Sequence, residues 1–163
     1  MKQLLQQYAA YNLWANKRII ETAQQLSNEQ INKEIVSSFP SVYKTLLHLM
    51  EVENIWWERL KLNAHADIPD KIFTGNFENI TQKLLQLSQQ WIHWVQQATD
   101  QTIANVFAYQ NSMKQDFNQP IYEMLLHLFN HQTFHRGQLV TMFRQLGLEK
   151  ISATDFIVFT RGK

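Results

Sequence analysis

From Lys2 to about Leu26 the apolar residues Leu4, Leu5, Tyr8, Tyr11, Leu13, Trp14, Ile19 and Ile20 recur at steps of three and four, which gathers side chains onto one face of an α-helix. A polar loop carrying Asn28 and Asn32 follows, and Ser41, after Pro40, is placed to cap a second helix to about Asn63. Pro69, Asp70 and Gly75 mark a break before a third helix, from about Glu78 to Thr99, with Leu84, Leu87, Trp91 and Trp94 on its stripe. Between Ile103 and Asn118 the helical period fails. Val106, Phe107 and Tyr109, then Phe117 beyond a Gln110-Asn111-Ser112 turn, predict a short hairpin or an irregular crossover. Pro120 suits the first position of a fourth helix that runs to Leu146 and stops at Gly147, a natural left-handed cap. Leu148 to Lys163 form a tail. Four long helices with long connections predict an all-α four-helix bundle.

The 163 residues, 45% of them apolar, suffice for one compact core, and no repeat or composition shift divides the chain, so residues 1–163 are expected to form a single domain. No stretch approaches the roughly 20 apolar residues of a membrane span, and the opening Met-Lys-Gln-Leu-Leu-Gln-Gln lacks the order of a signal peptide. A soluble, cytoplasmic protein without a membrane partner is expected. Fifteen Lys plus Arg against fourteen Asp plus Glu are scattered rather than massed, which argues against nucleic acid as a partner. The absence of cysteine excludes disulfides, thiolate metal sites and cysteine nucleophiles; any metal must be held by His, Asp or Glu.

That restriction directs attention to the histidines. On a wheel of 100° per residue, Ile121, Leu125, Leu128, Gln132, Leu139, Met142, Phe143 and Leu146 share the inner face of the fourth helix. His135 lies within that face, His131 at its edge, and His127 further round toward solvent. Residues four apart are separated by a rise of about 6 Å, close enough for two imidazoles to grip one ion. His127 and His135, about 12 Å apart in rise, cannot share it. A third ligand must come from a facing helix. His48, on the flank of the stripe Val42, Leu46, Leu49, Trp56 and Leu60, is the best placed; His65 in a loop and His93 off its helix's stripe are weaker. Three imidazoles and water make an open coordination sphere, able to activate water, a thiol or a carbonyl oxygen.

Two further residues refine the picture. Gln132 stands where an H-E-x-x-H metallopeptidase has its general base, which excludes that mechanism. Glu53 falls near the middle of the second helix's apolar stripe, where a carboxylate needs a partner. Arg136 or Arg18 can supply it, or Glu53 can orient a ligand histidine; a structural ion pair and a catalytic role both stay open. The tryptophans Trp14, Trp56, Trp57, Trp91 and Trp94 read as core and pocket wall.

Taken together, Tyr11-Asn12-Leu13-Trp14-Ala15-Asn16-Lys17-Arg18, then His48 with Glu53 and Trp56, then His127 and the run from His131 through His135-Arg136-Gly137-Gln138 resemble the DinB-like (DinB/YfiT) family of metalloproteins, which is distinct from the DNA polymerase sharing the name. The resemblance spans essentially the whole chain, the hairpin and the Asp155-Phe156 tail included. It implies a four-helix bundle of up-down-down-up connectivity, often a homodimer, with a divalent metal, usually zinc or nickel, on three histidines. Carried over by position these are His48, His131 and His135, while His127 matches a position that is not a ligand.

The resemblance also implies a reaction. Related branches transfer low-molecular-weight thiols such as bacillithiol or mycothiol to electrophiles, or use thiols in isomerisation. A metal-dependent enzyme transferring such a thiol cosubstrate to a small-molecule substrate is therefore expected. The alternatives are a metal-dependent hydrolase, with Glu53 or Glu51 assisting proton transfer, and a non-catalytic metal-stabilised protein of the stress response.

Overall fold

The computed structural model describes residues 1–61, 75–111 and 113–162. Its long helices are α1 (Lys2–Ala23), α3 (Val42–Lys61), α4 (Phe77–Gln97) and α6 (Ile121–Gln145), with short helices α2 (Asn28–Asn32), α5 (Asp100–Ala104) and α7 (Phe156–Arg161) in the connections. Strands β1 (Val106–Gln110) and β2 (Asp116–Pro120) pair antiparallel ahead of α6, with Tyr109 opposite Phe117. The failed helical period thus marks a hairpin.

Local chemistry sets the boundaries. Ser41 Oγ accepts from the backbone N–H of Lys44 at 3.1 Å, as expected of a cap for α3. Asn76 and Asn79 cap α4 reciprocally, each side chain accepting from the other's backbone N–H. At the end of α6, Gly147 has φ +90, the left-handed conformation that glycine adopts without a steric penalty. Where a polar loop was expected at Asn28 to Asn32, Ser27 and Gln30 form a capping box and open the single-turn α2. The first helix stops at Ala23 rather than Leu26. Pro120 closes β2 and caps α6 from outside, because its φ of -60 and ψ of 142 are extended. The break predicted at Pro69 and Asp70, His65, and the second helix's expected end at Asn63 lie outside the described residues.

Two apolar clusters give the helix directions. One joins Ile19, Ile20 and Ala23 at the end of α1 to Val42, Leu46 and Leu49 at the start of α3, Ile80 and Leu84 at the start of α4, and Leu139, Met142 and Phe143 at the end of α6. The other joins Leu5 and Ala9 to Trp56, Trp91, Val95, Leu125 and Leu128, at the opposite ends of the same helices. Helices α1 and α6 therefore point one way and α3 and α4 the other, an up-down-down-up bundle. Shortening a fully buried side chain such as Leu49 to alanine is expected to cost on the order of 2–5 kcal/mol.

Between the clusters lies a polar layer contributed by all four long helices. Glu53 Oε1 accepts from Asn12 Nδ2 at 2.8 Å, Asn16 Nδ2 at 3.2 Å and Ser88 Oγ at 2.9 Å. The oxygens of those asparagines accept from Arg136 Nη1 at 2.7 and 2.9 Å. All five side chains are buried. The tail is strapped to α1: Tyr11 OH donates to the carbonyl of Thr154 at 2.8 Å, Arg18 Nε to that of Ala153 at 2.9 Å, and Phe156 stacks on Tyr8. No described helix is long and apolar enough to cross a membrane.

Candidate metal centre

Antiparallel α3 and α6 lie side by side, and Gln132, wholly buried, pins them by donating from Nε2 to the carbonyl of Leu49 at 2.9 Å. That bond sets His48, next to Leu49, against the middle of α6. His48 Nε2 lies 3.1 Å from His131 Nε2, which lies 3.2 Å from His135 Nε2, and all three ligand atoms fall within 4.8 Å of one another. The sequence reading selected the same three residues; His127 and His93 are outside the cluster. His127 is exposed, with its ring 5.9 Å from that of His131. His93 bonds to Gln89 on its own helix.

Hydrogen bonding alone does not account for this convergence. His135 Nδ1 is 2.8 Å from Gln138 Oε1, an amide oxygen that can only accept, so Nδ1 carries the proton and Nε2 keeps its lone pair. His131 Nε2 faces two nitrogens at once and has at most one proton to give. Its Nδ1 is buried and, among the described residues, has no hydrogen-bond partner, so no described neighbour fixes either tautomer of this ring. Nitrogens bound to a single ion at about 2.1 Å stand roughly 3–3.4 Å from each other. The spacing and the donor type both fit a divalent cation.

The surroundings favour neutral rings. Burial, then the neighbouring His135, lowers the pKa of His48 to about 4. Burial, then His135, His48 and His127, lowers that of His131 to about 4. At neutral pH both therefore offer lone pairs. The loop before α3 covers one side: Phe39 stacks on His48 with ring centres 4.0 Å apart, and Ser38 accepts from Gln138 Nε2 at 2.8 Å. His131 also lines an open cleft of about 540 Å³, together with His127, Asn130, Thr133 and Phe134.

Glu53 is close to the centre in sequence but engaged elsewhere. Its described bonds go to Asn12, Asn16 and Ser88, and none to an imidazole. Burial raises its carboxyl to about 7, against the bonds from Asn12 and Ser88 and the charge of Arg136, which pull it down. Of the two arginines considered as partners, Arg136 reaches it through the asparagines. Arg18 instead bonds to Ala153 and covers Trp14. Glu51 is partly buried, its carboxyl raised by burial and lowered by Lys44. Among the described residues the potential metal-binding cluster contains no carboxylate.

Sequence reasoning noted Gln138 within the run that begins at His131 but gave it no role, and it missed Ser38 and Phe39. Gln138 was readable as the residue one turn beyond His135, on the same side of the helix. Ser38 and Phe39 sit in a loop whose path has no periodic signal. Asn12 and Asn16 were visible as polar residues four apart inside an apolar stripe.

The DinB family profile matches residues 1–161. The chain belongs to the DinB family. Protein DinB of Bacillus subtilis (strain 168) is 28% identical to it over 153 residues, which cover 90% of this chain and 87% of that protein. Among solved structures, the fold is shared with YfiT from Bacillus subtilis, at a TM-score of 0.73 and 13% identity over 91% of each chain. YfiT is described as a probable metal-dependent hydrolase with an unusual four-helix bundle topology. A DinB-like protein from Bacillus subtilis, YjoA, superposes with a TM-score of 0.69 at 11% identity, covering 91% of this chain and 97% of its own. A third, from Bacillus cereus, does so with a TM-score of 0.63 at 17% identity, covering 85% and 89%.

Proposed function

We propose that this DinB-family chain is a metal-dependent enzyme whose ligands are His48, His131 and His135, and that it activates a low-molecular-weight thiol for attack on an electrophilic small molecule held in the adjoining cleft. The observation that carries the reading is the convergence of three Nε2 atoms with no carboxylate among them. When bound there, a divalent cation, zinc or nickel as the family resemblance implies, would favour the anionic form of a nucleophile. A thiol, with a pKa near 8.5, needs far less help from a general base than water does. That difference suits a centre where Gln132 is tied to Leu49 and Glu53 is bonded to Asn12, Asn16 and Ser88. The residues here supply position: Gln138 holds the tautomer of His135, and Phe39 excludes water from the face of His48.

Metal-dependent hydrolysis is the second reading, supported by the description of YfiT. The two are separated by supplying zinc-loaded and nickel-loaded protein with a model electrophile, with and without thiols. Thiol consumption above the protein-free rate, lost in His48→Ala, supports transfer. Electrophile hydrolysis without thiol supports the second reading, and loss of neither reactant supports a non-catalytic role. A homodimeric state belongs to the same proposal and is read by sedimentation equilibrium.

A further inference from the structure

Toward its C-terminus α3 carries a cation that the metal centre does not use. Arg59 folds back over Trp56, three residues earlier, with its guanidinium carbon 4.7 Å from the centre of that ring and 5.3 Å from the ring of Tyr109. The hairpin brings Tyr109 there, its ring 5.0 Å from that of Trp56, and its hydroxyl is fixed by donating to Gln119 Oε1 at 2.6 Å. Two rings thus flank the guanidinium. Its Nε is buried and has no hydrogen-bond partner among the described residues. Among the described residues no carboxylate reaches it, and the ion pair nearest in sequence joins Lys61 to Glu58.

A partly buried guanidinium with no counter-charge among the described residues is costly to maintain for stability alone. Such groups recognise carboxylates and phosphates through paired N–H donors. Its location supplies the context. Trp56 also meets His127, with ring centres 5.5 Å apart, and His127 lines the cleft beside His131. Since α3 and α6 are antiparallel, one seam runs from the three histidines past His127 to Trp56 and Arg59. Trp56 lies eight residues beyond His48, a rise of about 12 Å along the helix.

We propose that Arg59, flanked by Trp56 and Tyr109, binds a carboxylate on the small molecule whose reacting end lies at the histidine centre, so that the preferred substrates are acids with the anionic group roughly 10 Å from the reacting atom. The spacing rests on the metal reading above; the anion site itself does not.

Two measurements test it. The first compares binding of suberic acid monohydroxamate, whose chain spans that distance, with its terminal amide on zinc-loaded protein by calorimetry. About tenfold tighter binding of the acid is expected in the wild type, as for one charge-assisted contact, with the preference lost in Arg59→Met and the amide's affinity unchanged. Equal affinity for acid and amide in the wild type, or a preference that survives in Arg59→Met, overturns the proposal. The second uses metal-free protein labelled with nitrogen-15. The Arg59 Nε–H resonance, assigned with Arg59→Lys, is expected to shift with adipate and not with adipamide, and a resonance that ignores adipate overturns the anion site. If neither hydroxamate binds while adipate still moves that resonance, the metal reading fails and the anion site stands.

Discussion

Arg136 and Glu53, both buried in the polar layer, do not touch: Asn12 and Asn16 stand between them, each accepting from the guanidinium and donating to the carboxylate. The two charges are joined by polarised amides rather than by an ion pair, which leaves each residue's partner satisfied by neutral groups as well as by charge. Removing one end leaves the amides of Asn12 and Asn16 short of a partner and the other charge buried without its opposite. Glu53→Gln and Arg136→Met are each expected to cost about 3–5 kcal/mol in urea denaturation, and the double variant less than their sum, by more than about 0.5 kcal/mol. Strict additivity would mean that the asparagines do not couple the charges.

The metal assignment separates four histidines. Wild type and His127→Ala are expected to retain one zinc or nickel ion per chain after dialysis, while His48→Ala, His131→Ala and His135→Ala lose it. Mass-spectrometric metal analysis of the purified proteins decides the matter, and equal content in all of them would remove the basis for the centre.

Gln138 touches the centre through His135 Nδ1 and, by its bond to Ser38, also holds the loop that covers His48. Gln138→Leu is expected to weaken metal affinity by about 10–100-fold in chelator competition, as loss of a ligand's outer partner does elsewhere. Gln138→Glu, which keeps the acceptor, should restore it. A Leu variant that binds as tightly as wild type would show that the tautomer of His135 needs no partner.

The depressed pKa values of His48 and His131 make a prediction for the metal-free protein. Both lie at about 4 when folded, below the ordinary 6.5, so the folded state resists protonation that the unfolded state accepts. Their contribution is present above pH 6.5 and is lost as the pH falls toward 4. Glu53 works in the opposite sense, since its raised carboxyl favours the folded state at low pH and that advantage disappears as the pH rises through about 7. Comparing wild type with the double variant His48→Gln, His131→Gln leaves Glu53 in both. The wild type should lose on the order of 1–2 kcal/mol relative to the variant between pH 6.5 and 4, a modest figure because both rings are partly exposed and solvent screens them. Parallel stability curves would contradict the lowered values.

The long helices and the pair His131 and His135 were legible because each rests on a period, apolar residues at steps of three and four and two histidines one turn apart, whereas His48 was picked from the flank of a facing stripe and by the family resemblance. The hairpin was legible as the place where that period stops. What escaped was the chemistry of connections. Ser27 and Gln30 carry a readable capping box, yet the helix they open lasts only five residues and buries little beyond Ile31. The tail helix α7 has no fully buried residue, so its apolar side chains leave no stripe to detect. The partner of Glu53 was ambiguous in sequence because two asparagines, not either arginine directly, answer its charge.

One consequence follows from where the histidines fall along the chain. His48 and His131 are 83 positions apart, on helices whose directions oppose each other. In a chain with no cysteine, an ion shared by them would stitch two remote segments together as a disulfide does, shrinking the conformational freedom of the unfolded polypeptide. Unlike a disulfide, that stitch would open and close with the supply of metal rather than with the redox state of the surroundings, so the same three side chains would govern how firmly the bundle holds as well as what it transforms.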